Sequence, residues 1–128
     1  MYSIEIEVME EHLDALNHVN NAVYVKWMED VAGSHWKHLT RNYDLDHYIW
    51  VVLRHEIDYK AQATLGDVII GKTRVGDSKG FTSERFIEFY KNDQLLVKAK
   101  TTWAMLHRST YKPARIREDV LQVLNPDN

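Results

Sequence analysis

Only one stretch of this chain repeats its apolar side chains at helical spacing, and nearly everything after it alternates. Tyr24, Trp27, Met28, Val31, Ala32, Trp36 and Leu39 fall on one face of a helix. That pattern predicts a long helix over 21–40, capped by Asn20 or Asn21 and slightly weakened at Gly33. Ahead of it, Ile4, Ile6 and Val8 alternate with Glu5 and Glu7, as in a half-buried strand. Behind it, Ile49, Val51, Leu53, Ile57 and Tyr59 share one face of a strand, and Arg54, Glu56, Asp58 and Lys60 share the other. Three more strands are expected at 68–75, 81–90 and 95–106. Gly66-Asp67, the turn cluster 76–80 and Asn92-Asp93 separate them. On the last strand Val97, Ala99, Thr101, Trp103 and Met105 face one way, and a short helix over 117–124 closes the chain.

Strand, long helix and four successive strands make an α+β domain. The short turns make the later strands an antiparallel meander. Long strands twist, and a twisted sheet can wrap one helix. One helix cannot cover a wide sheet, so an open edge or an uncovered apolar face is expected to meet a second copy, giving at least a homodimer. At 128 residues the chain is expected to be a single domain, 1–128. It has no cysteines, which excludes disulfides, a thiolate nucleophile and a cysteine-based zinc site. A net charge of −3 makes nucleic acid an unsuitable partner. No signal peptide or membrane-spanning run is visible, so a cytoplasmic, membrane-free protein is expected.

The chemistry concentrates in Asp14-Ala15-Leu16-Asn17-His18-Val19-Asn20-Asn21, which leads into the helix. A helix start offers unpaired backbone N–H groups and the positive end of the helix dipole. A carboxylate beside such donors can attack a carbonyl held on them, or activate water to do so. That is the outline of an acyl-transfer site.

The segment from Asp14 to Tyr24 resembles the D-x-x-x-H-V-N-N-x-x-Y signature of acyl-CoA thioesterases of the 4-hydroxybenzoyl-CoA thioesterase type. It is also similar to the corresponding segment of acyl-ACP thioesterases. Tyr59-Lys60-Ala61, Leu65-Gly66-Asp67 and Lys112-Pro113-Ala114-Arg115-Ile116 agree with the resemblance. It implies a hotdog fold, a long central helix wrapped by a curved antiparallel sheet of about five strands. It implies hydrolysis of an acyl-CoA, or an acyl-ACP, without metal or cofactor, in a dimer or a dimer of dimers. Asp14 then matches the nucleophile or general base, and the backbone N–H of Asn21 polarises the thioester carbonyl. His18 completes the catalytic set, and Asn17, Asn20, Tyr24 and Lys79 form the substrate-binding set. The chain departs from its relatives at Asn17, where glycine is common, at Leu16, where acyl-ACP thioesterases have asparagine, and at Asn21, often His or Tyr.

Plainer roles stand beside these. Asp14 could close an Asx-turn. His18 either pairs with Asp14, orients the thioester, or holds the loop. Asn20 and Asn21 are caps first. Glu29 sits where another hotdog subgroup carries a catalytic Glu, but reads as a helix-face carboxylate. His35 and His38 have metal-compatible spacing but no third ligand. His12, His47, His55 and His107 carry no assignment. Lys79, Lys98, Lys100, Arg108, Lys112 and Arg115 are candidates to meet CoA phosphates, each otherwise a solvated charge. Trp27, Trp50, Phe81 and Trp103 either line the acyl pocket or fill the core. Two other functions share the fold: hydration of an enoyl-CoA, which pairs Asp and His over a longer spacing with Asn-Pro between, and non-catalytic binding of an acyl thioester.

Overall fold

The computed structural model describes residues 1–125. Five strands, β1 (Tyr2–Glu7), β2 (Tyr48–Tyr59), β3 (Val68–Lys79), β4 (Thr82–Lys91) and β5 (Gln94–His107), form one antiparallel sheet in the order β1-β3-β4-β5-β2. Helix α1 (Asn21–Leu39) packs against β3 and β1, and α2 (Glu118–Leu124) packs against α1. This is the hotdog arrangement. β1 and β2 are the sheet edges, and β2 is a 12-residue strand.

The inward face follows the period-two alternation of the strands. Ile69, Gly71 and Thr73 of β3, Ile87 and Phe89 of β4, and Val97, Ala99, Thr101 and Met105 of β5 are buried. Tyr24, Trp27, Met28 and Val31 of α1 lie on the first half of this surface, around Phe89. Under the C-terminal half of α1, a second cluster joins Leu45, Met105, Ala114 and Ile116 to Val120, Val123 and Leu124 of α2, with Trp36 and Trp50 beside it. The outer face is ionic instead. Lys100 bridges Glu56 and Glu84, and Arg54 reaches Glu56, exposed pairs that each contribute about 0–1 kcal/mol.

Two strands differ from strict alternation. Val52 pairs with Trp103 and Arg54 with Thr102, so Leu53 is an extra residue in a bulge, 56% exposed on the edge. The bulge reverses phase: Trp50 and Val52 face inward before it, His55 and Ile57 after it. Ile49, Val51 and Leu53 therefore do not share a face with Ile57 and Tyr59. The expected turn over 76–80 is also shorter. β3 continues to Lys79 across a second irregularity between Val75 and Ser78, and only Gly80, at φ 64°, takes the left-handed backbone of the turn.

Candidate active site

The segment between β1 and α1 is pinned at several points. A 3-10 turn at Glu10–His12 leads to an isolated bridge between Leu13 and Val19. Val19 N–H donates to Ala63 O (3.0 Å) and Asn20 N–H to His12 O (2.9 Å). Within the loop so closed, Asp14 N–H donates to His18 O (2.8 Å), and Asn17 N–H donates to Asp14 O (3.0 Å). Asn17 lies at φ 62°, a conformation that glycine or asparagine adopts with least strain. Asparagine thus meets the same backbone demand as the glycine common at this place.

The half-buried Asp14 carboxylate is oriented by two backbone donors. Its Oδ1 accepts from Leu16 N–H (2.9 Å) and His18 N–H (3.2 Å), leaving Oδ2 with no partner among the described residues. The Asx-turn thus occupies one oxygen and leaves the other available. His18 touches Asp14 through its backbone, and its ring makes no hydrogen bond among the described residues.

Three residues beyond His18 the helix begins. Asn20 is the N-cap, and its Oδ1 accepts from Ala22 N–H (2.9 Å). Asn21 N–H has no partner among the described residues, while Asn21 O accepts from the Tyr59 hydroxyl at the end of β2 (3.2 Å). No acidic residue occupies the first turn of α1, whereas Lys37 and His38 complement its last turn. The positive end of the helix is therefore left for a negative group from outside the helix.

Two members of the expected substrate-binding set are placed elsewhere. Tyr24 is 2% exposed, packed on Trp27 and Phe89, with an unpartnered hydroxyl that burial pushes up to about 12. It builds the floor beneath the site rather than its surface. Lys79 is exposed at the far end of β3. Eleven residues separate it from Val68 at the near end, roughly 35 Å of strand, so one protomer does not bring Lys79 to Asp14. Of the other basic candidates, Lys100 is engaged on the outer face, and Arg108 donates through Nε to Asp46 O (2.6 Å). Trp27 belongs to the core, and Phe81 is 39% exposed.

Beneath the second half of α1 lies a cavity of about 320 Å³, bounded by Glu29, Trp36, Trp50, Ser83, Arg85 and Trp103, with Arg108 also on its wall. Arg85 is 6% exposed. Its Nη1 donates to His35 Nδ1 (2.8 Å) and Thr73 Oγ1 (3.0 Å). A guanidinium only donates, so His35 is neutral, with its proton on Nε2. Burial, and then the charge of Arg85, pulls His35 down to about 4, and burial lowers Arg85 to about 10. His35 also stacks on Tyr2, which explains the helical histidine without a metal. Sequence reasoning missed Arg85, although a signal existed: it falls in phase with Ile87 and Phe89, a charge on the core side of a strand.

A model of the thioesterase-like superfamily matches residues 8–124. The chain belongs to that superfamily. The class of reaction that goes with it is thioester hydrolysis. Among curated proteins, the chain is 29% identical over 128 residues to a palmitoyl-acyl carrier protein thioesterase of Arabidopsis thaliana, covering 97% of this chain and 29% of that protein. It is 30% identical over 80 residues to an acyl-[acyl-carrier-protein] hydrolase of Cuphea viscosissima, covering 61% of this chain and 19% of the other. The chain spans less than a third of these relatives. A thioesterase from Thermus thermophilus complexed with coenzyme A and Zn superimposes with a TM-score of 0.85 at 23% identity, covering 97% of this chain and 91% of that one. A 1,4-dihydroxy-2-naphthoyl-CoA thioesterase from Synechocystis gives 0.80 at 16% identity, covering 96% and 94%. These likenesses establish the hotdog fold.

Proposed function

We propose that the protein hydrolyses an acyl-CoA thioester to a free acid and CoA. The observation that carries this is the Asp14 carboxylate: its Oδ1 is fixed by two backbone donors and its Oδ2 has no partner among the described residues, seven residues of chain ahead of an uncompensated helix start. The thioester oxygen sits on the Asn21 N–H. Asp14 either takes a proton from a water that attacks the carbonyl carbon, or attacks the carbon itself to form a mixed anhydride that water then hydrolyses; in both routes the C–S bond breaks and the departing thiolate takes up a proton to give CoA. The family supports the reaction class, and a neighbour holding coenzyme A supports CoA as carrier. The plant relatives make acyl-carrier protein the competing carrier.

The site is shallow in one protomer, since Asn20 and Asn21 are exposed. Edge strand β2 passes it at Tyr59, 41% exposed. A second copy pairing along β2 covers both edge and site, so the working unit is a homodimer, alone or doubled. The setting is taken to be cytoplasmic, which a cysteine-free chain suits.

Free-thiol release from a panel of acyl-CoAs, with acyl-ACP in parallel, tests the proposal, and Asp14→Asn is expected to be nearly inactive. Equal rates for Asp14→Asn and wild type, or no turnover of any thioester, would overturn it. Glu29 is the one rival carboxylate, because it lies on the cavity wall; loss of turnover in Glu29→Gln with Asp14→Asn active would transfer the role. The hydratase alternative needs an Asp–His pair, and the His18 ring makes no contact with the Asp14 carboxylate among the described hydrogen bonds and ion pairs.

A further inference from the structure

The cavity under α1 carries hydrogen-bond donors without acceptors. Both recorded bonds of Arg85 leave through Nη1, so Nε and Nη2 have no partner among the described residues, and no carboxylate there forms an ion pair with it. The indole Nε1–H groups of Trp50 and Trp103 are buried and unpartnered. Ser83 Oγ accepts from Ser78 Oγ (2.9 Å) and keeps its own hydrogen to give. All four residues line the same space. A buried cation without a counter-ion, and buried N–H groups without acceptors, each cost free energy that an occupant can recover. Trp36 meets Trp50 edge-on at 5.5 Å, and Ile49 and Leu124 add apolar wall, while Arg108 adds a second cation. The one carboxylate on the wall, Glu29, is exposed and makes no ion pair with Arg85 among the described residues.

From the unpaired guanidinium we infer that the cavity binds a carboxylate-bearing ligand of ring size, its carboxylate on Arg85, its apolar body between Trp36 and Trp103. A volume of about 320 Å³ falls in the range of small-molecule pockets and admits one or two fused rings.

Binding is tested without turnover. 2-Naphthoate and its uncharged amide are titrated into wild-type protein by calorimetry and tryptophan fluorescence. The carboxylate is expected to bind about 10- to 100-fold more tightly than the amide, the value of a charge-assisted hydrogen-bond pair. That preference is expected to disappear in Arg85→Gln. Equal affinity for acid and amide in wild type overturns the inference even if no variant folds, as does an undiminished preference in folded Arg85→Gln. Thiol release from acyl-CoAs is scored separately. Carboxylate binding without turnover leaves this site standing and removes the thioesterase proposal; turnover without carboxylate preference does the reverse.

Discussion

The two halves of α1 cover very different ground. From Tyr24 to Val31 the helix lies on Phe89, Ile69, Ile87 and Val97, and every inward group there is apolar apart from the Tyr24 hydroxyl. From Ala32 to Leu39 it spans a cavity, a buried arginine, a neutral histidine and two unpartnered indoles. The first half is filled as a close-packed interior must be. The second half sets aside volume and donors that folding alone has no use for. One helix therefore anchors the domain at the end carrying the proposed chemistry and leaves room for a ligand at the other.

The largest test of that contrast is Phe89→Ala, expected to cost about 3–5 kcal/mol in denaturant unfolding because it empties the packed half. Next is Asp14→Asn, expected to slow thiol release about 100-fold or more, the contribution of a positioned acid–base group. Its unfolding midpoint should barely move, because the asparagine oxygen still accepts from Leu16 and His18; a large loss of stability would return Asp14 to a purely structural role. Gly71→Ala probes tightness in the packed half. A methyl there meets the Phe89 ring and Val31 Cγ2 at 3.0 Å, and overpacking of this kind costs about 1–3 kcal/mol. Arg85→Met probes the other half and is expected to leave stability unchanged or to raise it, because it removes a buried charge whose unpaired state costs free energy in the folded chain. A cost matching that of Phe89→Ala would erase the distinction between the halves.

The smallest effect is a pH dependence. His35 titrates near 4 in the folded chain, against about 6.5 when unfolded. The unfolded state therefore takes up the proton first, and stability falls as pH drops from about 6.5 towards 4, levelling below that. Melting temperatures across this window should fall less steeply for His35→Gln, whose amide oxygen can still accept from Arg85. Identical slopes would show that His35 is not the responsible group.

The packed half was legible in the sequence because its elements obey their periods. Tyr24, Trp27, Met28 and Val31 give the helix, and its observed span ends one residue short of the expected one. Val97 to Met105 give the inward face of β5. The loop was legible as a motif, but not that Asn17 takes a left-handed backbone, that the His18 N–H donates to Asp14 or that Asn20 rather than Asn21 is the cap, because residue type alone does not separate these placements. The cavity half was not legible. Its wall depends on a bulge that no turn residue announces, and on Arg85, whose phase with Ile87 and Phe89 marks it as inward without showing what it meets there.

That bulge reaches further than its single residue. Trp50 and His55 are five positions apart, so an unbroken ladder would send one of them to solvent. Because Leu53 is left over, both look into the domain, and the same odd residue interrupts the free border of the sheet. A neighbouring strand laid along that border finds two short runs out of step with each other and can match only one. Parity, rather than any particular side chain, thus decides both which indole a guest would meet and how a companion chain could line up.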